Sequence, residues 1–154
     1  VNVNDNVNVN VNDNINLNIN NKLMSEFSIS DDCLFFKNEK VEVSKNEIYY
    51  FQIAEKFRKL FIRNLKESNA PINHQEKATL KNYVDPIRLM VERDKVTKEQ
   101  FRRAYDFLNS SDGDFWKKNI LSTAKLREQI QKLLINSNTK RNEPKTVTFN
   151  KNRD

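Results

Sequence analysis

The chain has 154 residues, a formal net charge of +6, and one glycine, one cysteine and one histidine. That is room for one domain with tails. A lone Cys33 and a lone His74 cannot build a disulfide framework or a Cys/His zinc site, and no apolar run approaches the roughly 18 residues that a bilayer span requires. Scarce Gly and Pro beside abundant Lys, Glu, Leu and Phe point to a mostly helical domain and away from hairpin-rich or phosphate-cradling architectures. The charge is unevenly spread. Val1 to Phe36 carries one basic residue against five acidic ones, whereas Lys37 to Asp154 carries 26 against 16. An excess of that size either draws the domain to a polyanion or simply keeps it soluble.

Val1 to Asn21 reads VNVNDNVNVNVNDNINLNINN, with Asn at every even position through Asn20. The period is that of a strand, but Asn is a poor strand former and no second apolar run with a turn signal follows to pair with it. Residues 1–24 are therefore expected to be a disordered Asn-rich linker whose ends lie about 25 Å apart on average. A tether at the front of a chain that starts inside a repeat, without an initiator methionine, is expected to have carried an upstream domain. Residues 25–43, with FSIS, CLFF and VEV, read as loop or short extended segment.

From Ser44 the pattern becomes helical. Ser44 and Glu47 form a capping box, flanked by Val43 and Ile48 as a hydrophobic staple. The helix it starts runs to about Lys66, with Tyr50, Ala54, Phe57, Phe61 and Leu65 on the buried face. Lys56, Lys59, Arg63 and Lys66 recur at three and four residues on another face, which either tracks a phosphate backbone or is a solvated face. Ser68 to Pro71 breaks the helix. Asn73 with Glu76 suggests a second helix toward Val84, and Asp85-Pro86 a restart that buries Ile87, Met90 and Val91. Thr97 with Gln100 is a third capping box, and Phe101, Ala104, Tyr105 and Leu108 make the cleanest apolar stripe, with Arg102 and Arg103 off it. Asp114 to Leu121 reads as a short helical turn or ordered loop. Ser122 caps a last helix to about Ile135, burying Leu126, Ile130, Leu133 and Leu134. Residues 137–154 are expected to be a disordered basic tail. The expected fold is all-α, a small bundle of four to five short helices over residues 44–136.

No catalytic signature is legible. Asp112-Gly113-Asp114 lacks the further ligands of a calcium loop, Ser122 has no base or oxyanion loop beside it, and no paired-carboxylate or Walker pattern is present. No metal, no cofactor and no small-molecule substrate is expected, and the chain reads as a non-enzyme. Phe115-Trp116 beside Lys117 and Lys118 suits base stacking, but in so small a domain both rings are expected in the core. The expected core residues are Phe57, Phe61, Met90, Phe101, Tyr105, Phe115, Trp116, Leu126 and Leu133. The cations expected to meet nucleic acid are Lys56, Lys59, Arg63, Lys66, Arg102, Arg103, Lys117, Lys118, Lys125 and Arg127.

RLMVERD (Arg88 to Asp94), the stripe in FRRAYDFLN, and DFWKKNILSTAKLREQIQKLL (Asp114 to Leu134) together resemble a C-terminal region of phage and prophage replication proteins, the protein O-like and replisome-organiser group. The resemblance spans about Tyr50 to Leu134. Tyr83 stands where that region usually has Trp, and Lys95 where a glycine tends to follow Glu-Arg-Asp. The resemblance implies an upstream winged-helix or helix-turn-helix domain, a low-complexity linker, and a role in the bacterial host cytoplasm through DNA, single- or double-stranded, and the replicative helicase or its loader. It implies no membrane partner. A purely structural or protein-interaction domain and, less favoured, a transcriptional regulator are the alternatives.

Overall fold

The computed structural model describes residues 19–147, with side chains through residue 138. Three short strands precede the helices: β1 (Phe27–Ser30), β2 (Cys33–Phe36) and β3 (Glu39–Val41). They form an antiparallel sheet in sequence order, with Phe27 opposite Phe36, Ile29 opposite Leu34, and Leu34 opposite Val41. These pairs put the apolar side chains on one face, which packs toward the helices through Phe27 and Phe51, ring centroids 6.0 Å apart. The expectation of an all-α fold is corrected here. Both hairpins close through two-residue turns whose residues take positive φ, Asp31 and Asp32 in one, Lys37 and Asn38 in the other. Such turns ordinarily carry glycine. Here Asp and Asn, with a strained Lys, do the same work, so scarcity of glycine did not exclude hairpins.

Six α-helices follow among the described residues: α1 (Lys45–Glu67), α2 (Asn73–Glu76), α3 (Leu80–Glu92), α4 (Lys98–Leu108), α5 (Asp114–Lys117) and α6 (Thr123–Val147). Ser44 caps α1, its Oγ accepting from the Glu47 N–H at 3.2 Å. The reciprocal half of the expected box is absent because the Glu47 carboxylate is taken by Arg88 of α3 at 3.1 Å. Thr97 and Gln100 do form a full box at the start of α4. Between them, α3 departs from expectation. Thr79 caps it, its Oγ1 accepting from the Asn82 N–H at 3.2 Å, and the helix runs without a break through Pro86. Leu80, Tyr83, Val84, Ile87 and Met90 make one continuous buried stripe across the proline. Burial of that stripe against α1 and α6 carries the helix past the lost N–H.

The core is one cluster. Phe57, Phe61, Met90, Phe101, Leu126 and Leu133 are each at most 2% exposed. Phe57 sits at its centre, with ring centroids 6.0 Å from Phe61, 6.4 Å from Phe101 and 5.8 Å from Tyr105. Tyr105 and Trp116 are half-buried against the cluster. Phe115 is not in the core. It is 63% exposed, because the four-residue α5 can turn only one of two adjacent rings inward and Trp116 takes that place.

The ends also differ from expectation. Residues 1–18 of the linker lie outside the described residues, but Ile19 and Met24 are buried in the core cluster. The Met24 N–H bonds the Ala78 carbonyl at 2.9 Å and the Leu80 N–H bonds the Lys22 carbonyl at 2.8 Å, tying this segment to the turn before α3. At the other end α6 continues past Ile135 to Val147, while residues 148–154 of the expected tail lie outside the described residues. Asn136 and Ser137 do not stop the helix, since their side chains donate back to the Lys132 and Leu134 carbonyls at 2.9 and 2.8 Å.

Two backbone positions yield tests. A Cβ on Gly113 would lie 2.2 Å from the Phe107 carbonyl oxygen, so only glycine lets the turn before α5 back onto the end of α4. Gly113→Ala is expected to lower stability by about 1–3 kcal/mol in urea unfolding. Lys95, between α3 and α4, has φ of +60°, the left-handed region where a side chain crowds the following carbonyl. Lys95→Gly is expected to raise stability by about 0.5–1 kcal/mol, read as a higher Tm; a lower Tm would contradict the strain argument.

Candidate nucleic-acid interface

Helix α1 is covered on most of its circumference. The sheet meets it near Phe51, α4 packs on Phe57, and Tyr83 of α3 packs on Phe61 with ring centroids 6.5 Å apart. One face is left to solvent, and Lys56, Lys59, Arg63 and Lys66 all stand exposed on it. Ten residues at 1.5 Å per residue make this row about 15 Å long.

What each cation touches separates the ten expected residues into two groups. Arg102 is held between Glu99 and Asp106 on α4 itself. Arg127 makes a two-pronged pair with Asp94, at 2.7 and 3.0 Å, and its hydrogen bonds hold the Asp94 carboxyl below the usual carboxylate range. Lys117 pairs with Asp114 at 3.0 Å and Lys125 with Glu128 at 3.3 Å. Arg103 is part of the scaffold: its guanidinium donates to the Leu134 carbonyl at 3.1 Å, to Ser137 Oγ at 3.3 Å and to Asn138 Oδ1 at 2.8 Å, fastening α4 to α6.

The row on α1 is different. Lys56 lies over the Tyr105 ring, 5.0 Å from its centroid, and Arg63 donates to the neutral amide of Asn109. Lys59 has the Glu55 carboxylate at 3.9 Å, a carboxylate it shares with the closer Arg58 at 3.1 Å, while its own side chain stays largely exposed. Lys66 and Lys118 have no carboxylate within 4.0 Å among the described residues. Lys59, Arg63 and Lys66 line a shallow notch of about 420 Å³ with Ile62 and Glu67. A second recess of about 480 Å³ lies between α1 and α4, with Ile53, Phe57, Phe101 and Tyr105 as apolar floor and Lys56, Lys98 and Arg102 among its rim.

Arg58 was not among the expected site residues and has no place in the row. It is buried, its Nε donating to the Gln75 carbonyl at 2.9 Å and its Nη1 meeting the Glu55 carboxylate at 3.1 Å. Burial pushes the Glu55 carboxyl up, against the pull of Arg58 and Lys59. The i, i+3 spacing of Glu55 and Arg58 was a visible signal for this pairing. Among the described residues no group of three or more His, Cys, Asp or Glu side chains could hold a metal, and no helix is long and apolar enough to cross a membrane.

Residues 52–140 match the family model for the phage replication protein O, C-terminal domain. The match covers more than half of the chain, and the chain belongs to that family. No curated protein and no solved structure matches it. The sheet and the first turns of α1 lie ahead of the matched region, so Met24, Phe27 and Phe51 bring residues outside the family boundary into the same core.

Because Arg103 bridges two helices, Arg103→Ala is expected to cost about 1–3 kcal/mol of stability, with nucleic-acid affinity of the still-folded protein unchanged. An affinity loss without a stability loss would return Arg103 to the interface.

Proposed function

We propose that this member of the phage replication protein O family acts without catalysis, as a cytoplasmic module that binds DNA through the exposed cations of α1 and recruits the replicative helicase or its loader. The observation that carries the DNA contact is the row Lys56, Lys59, Arg63 and Lys66, exposed along one helix while five of the other candidate cations are held by internal partners. Cations that already neutralise a carboxylate gain less from phosphate, because the existing pair must be given up. Cations that stay exposed on a helix face, with at most one long ion pair among them, release counterions from the duplex or strand they meet, and binding then weakens steeply with salt. Family membership supports the replication setting. The recess between α1 and α4 supports a protein contact, since an apolar floor with charged rims suits an amphipathic partner segment.

The row is tested by charge reversal. Lys59→Glu with Arg63→Glu in the 154-residue chain is expected to weaken DNA binding at least tenfold at low salt and to flatten the slope of log K against log salt by about 2. Arg102→Glu with Arg127→Glu makes the same change in net charge and is expected to have a much smaller effect on DNA. Equal losses for the two double variants, or no binding by the parent at low salt, would sink the assignment. Recruitment is tested separately by pull-down of purified helicase and loader.

A further inference from the structure

We propose that Phe115 is a stacking platform for a base of single-stranded DNA, an assignment that rests on the DNA-binding reading above and specifies the form of DNA. A large apolar ring is expected inside a domain of this size, yet Phe115 is 63% exposed, and with Ile135 it is one of two large apolar side chains left exposed among the described residues.

The ring stands on a built support. It meets Trp116 edge-on, with centroids 5.4 Å apart and planes at 90°. Trp116 is itself packed against the core. The Phe115 carbonyl accepts from Asn119 Nδ2 at 2.7 Å, and the Trp116 carbonyl accepts the Asn119 and Ile120 N–H groups at 3.0 and 2.9 Å. The backbone beneath the ring is thereby held in one conformation, so little ordering remains to be done when a ligand arrives.

The charges around it select the ligand. Trp116 supports the ring from the core side, and the other residues nearby in sequence are charged or polar: Asp114, whose carboxylate is occupied by Lys117, then Lys118 and Asn119, both exposed. Such surroundings do not make the apolar pocket that an inserted protein side chain needs. They do suit a ligand with a flat aromatic face and a phosphate on either side. The same segment is joined to the end of the cationic row. Asn109 receives Arg63, the Leu108 carbonyl accepts from Asn64 Nδ2 at 3.4 Å, and Gly113 backs onto Phe107. A strand whose phosphates follow Arg63 and Lys66 would therefore leave the row at the end of α4, where the chain leads on to Phe115 and Lys118. In a duplex the bases are already stacked on each other and offer no face to the ring, so this contact is specific to single strands.

The test is an anisotropy titration of the 154-residue chain with labelled oligo(dT) and with a duplex of equal length, at low salt. Phe115→Ala is expected to weaken oligo(dT) binding about tenfold while leaving duplex affinity and Tm unchanged, and Phe115→Tyr to restore oligo(dT) binding. If Phe115→Ala binds oligo(dT) as the parent does while Lys59→Glu with Arg63→Glu does not, the stacking assignment fails and the cationic row stands; the ring then belongs to a protein contact. Equal losses on both DNA forms also overturn stacking. Failure of the parent to bind either form removes the DNA reading and this assignment together.

Discussion

Everything in this domain is arranged around the two-ring step of Phe57 and Phe61 on α1. Four residues apart, the two rings lie one turn above the other, and each receives a different neighbour: Phe101 and Tyr105 of α4 on one, Tyr83 of α3 on the other. Helix α6 then closes over α3 and α4 through Leu126, Ile130 and Leu133, and the sheet closes the N-terminal end of α1 through Phe27 and Phe51. Once those contacts are made, α1 keeps one exposed face among the described residues. The four cations occupy it because their charged ends cannot be buried without partners at comparable cost.

The same packing decides which charges remain available. Pairs such as Arg127 with Asp94 and Arg88 with Glu47 join segments more than thirty residues apart in sequence. Arg103 reaches from α4 to three groups on α6. These side chains bridge the junctions between helices, so a surface contact would compete with the internal one. Net charge alone therefore overstates the cationic surface, and the asymmetry between the two ends of the chain becomes informative only after the internal pairs are removed from it.

Gly113 and Phe115 show how a short turn decides what the surface presents. The glycine lets residues 111–113 press onto the end of α4, and the half-turn that follows has room to bury one ring of an adjacent pair. Trp116 secures the turn and Phe115 is left outside. An element too short to bury both of its aromatics has one to present.

Much of this was legible from local signals. Periodicity and capping residues were enough for α1, α4 and the start of α6, because a Ser or Thr hydroxyl oxygen accepts the orphan amide three residues on, within a single turn. The exposed row on α1 followed from spacing of three and four along one helix. The continuous α3 was written in the stripe from Leu80 to Met90, but Pro86 outweighs it locally, and only burial against two other helices reverses that balance. The hairpins were obscured because Asp31, Asp32, Lys37 and Asn38 adopt positive φ where glycine is the usual signal. The amino-acid order by itself determined the helical periods, the caps and the position of the cations along the chain, all of which depend on neighbours within about four residues. Which arginines were tied across helices, which of two adjacent rings faced outward, and whether a helix survived its proline were decided only by the tertiary structure, because each depends on packing that folding brings in from a distant part of the chain.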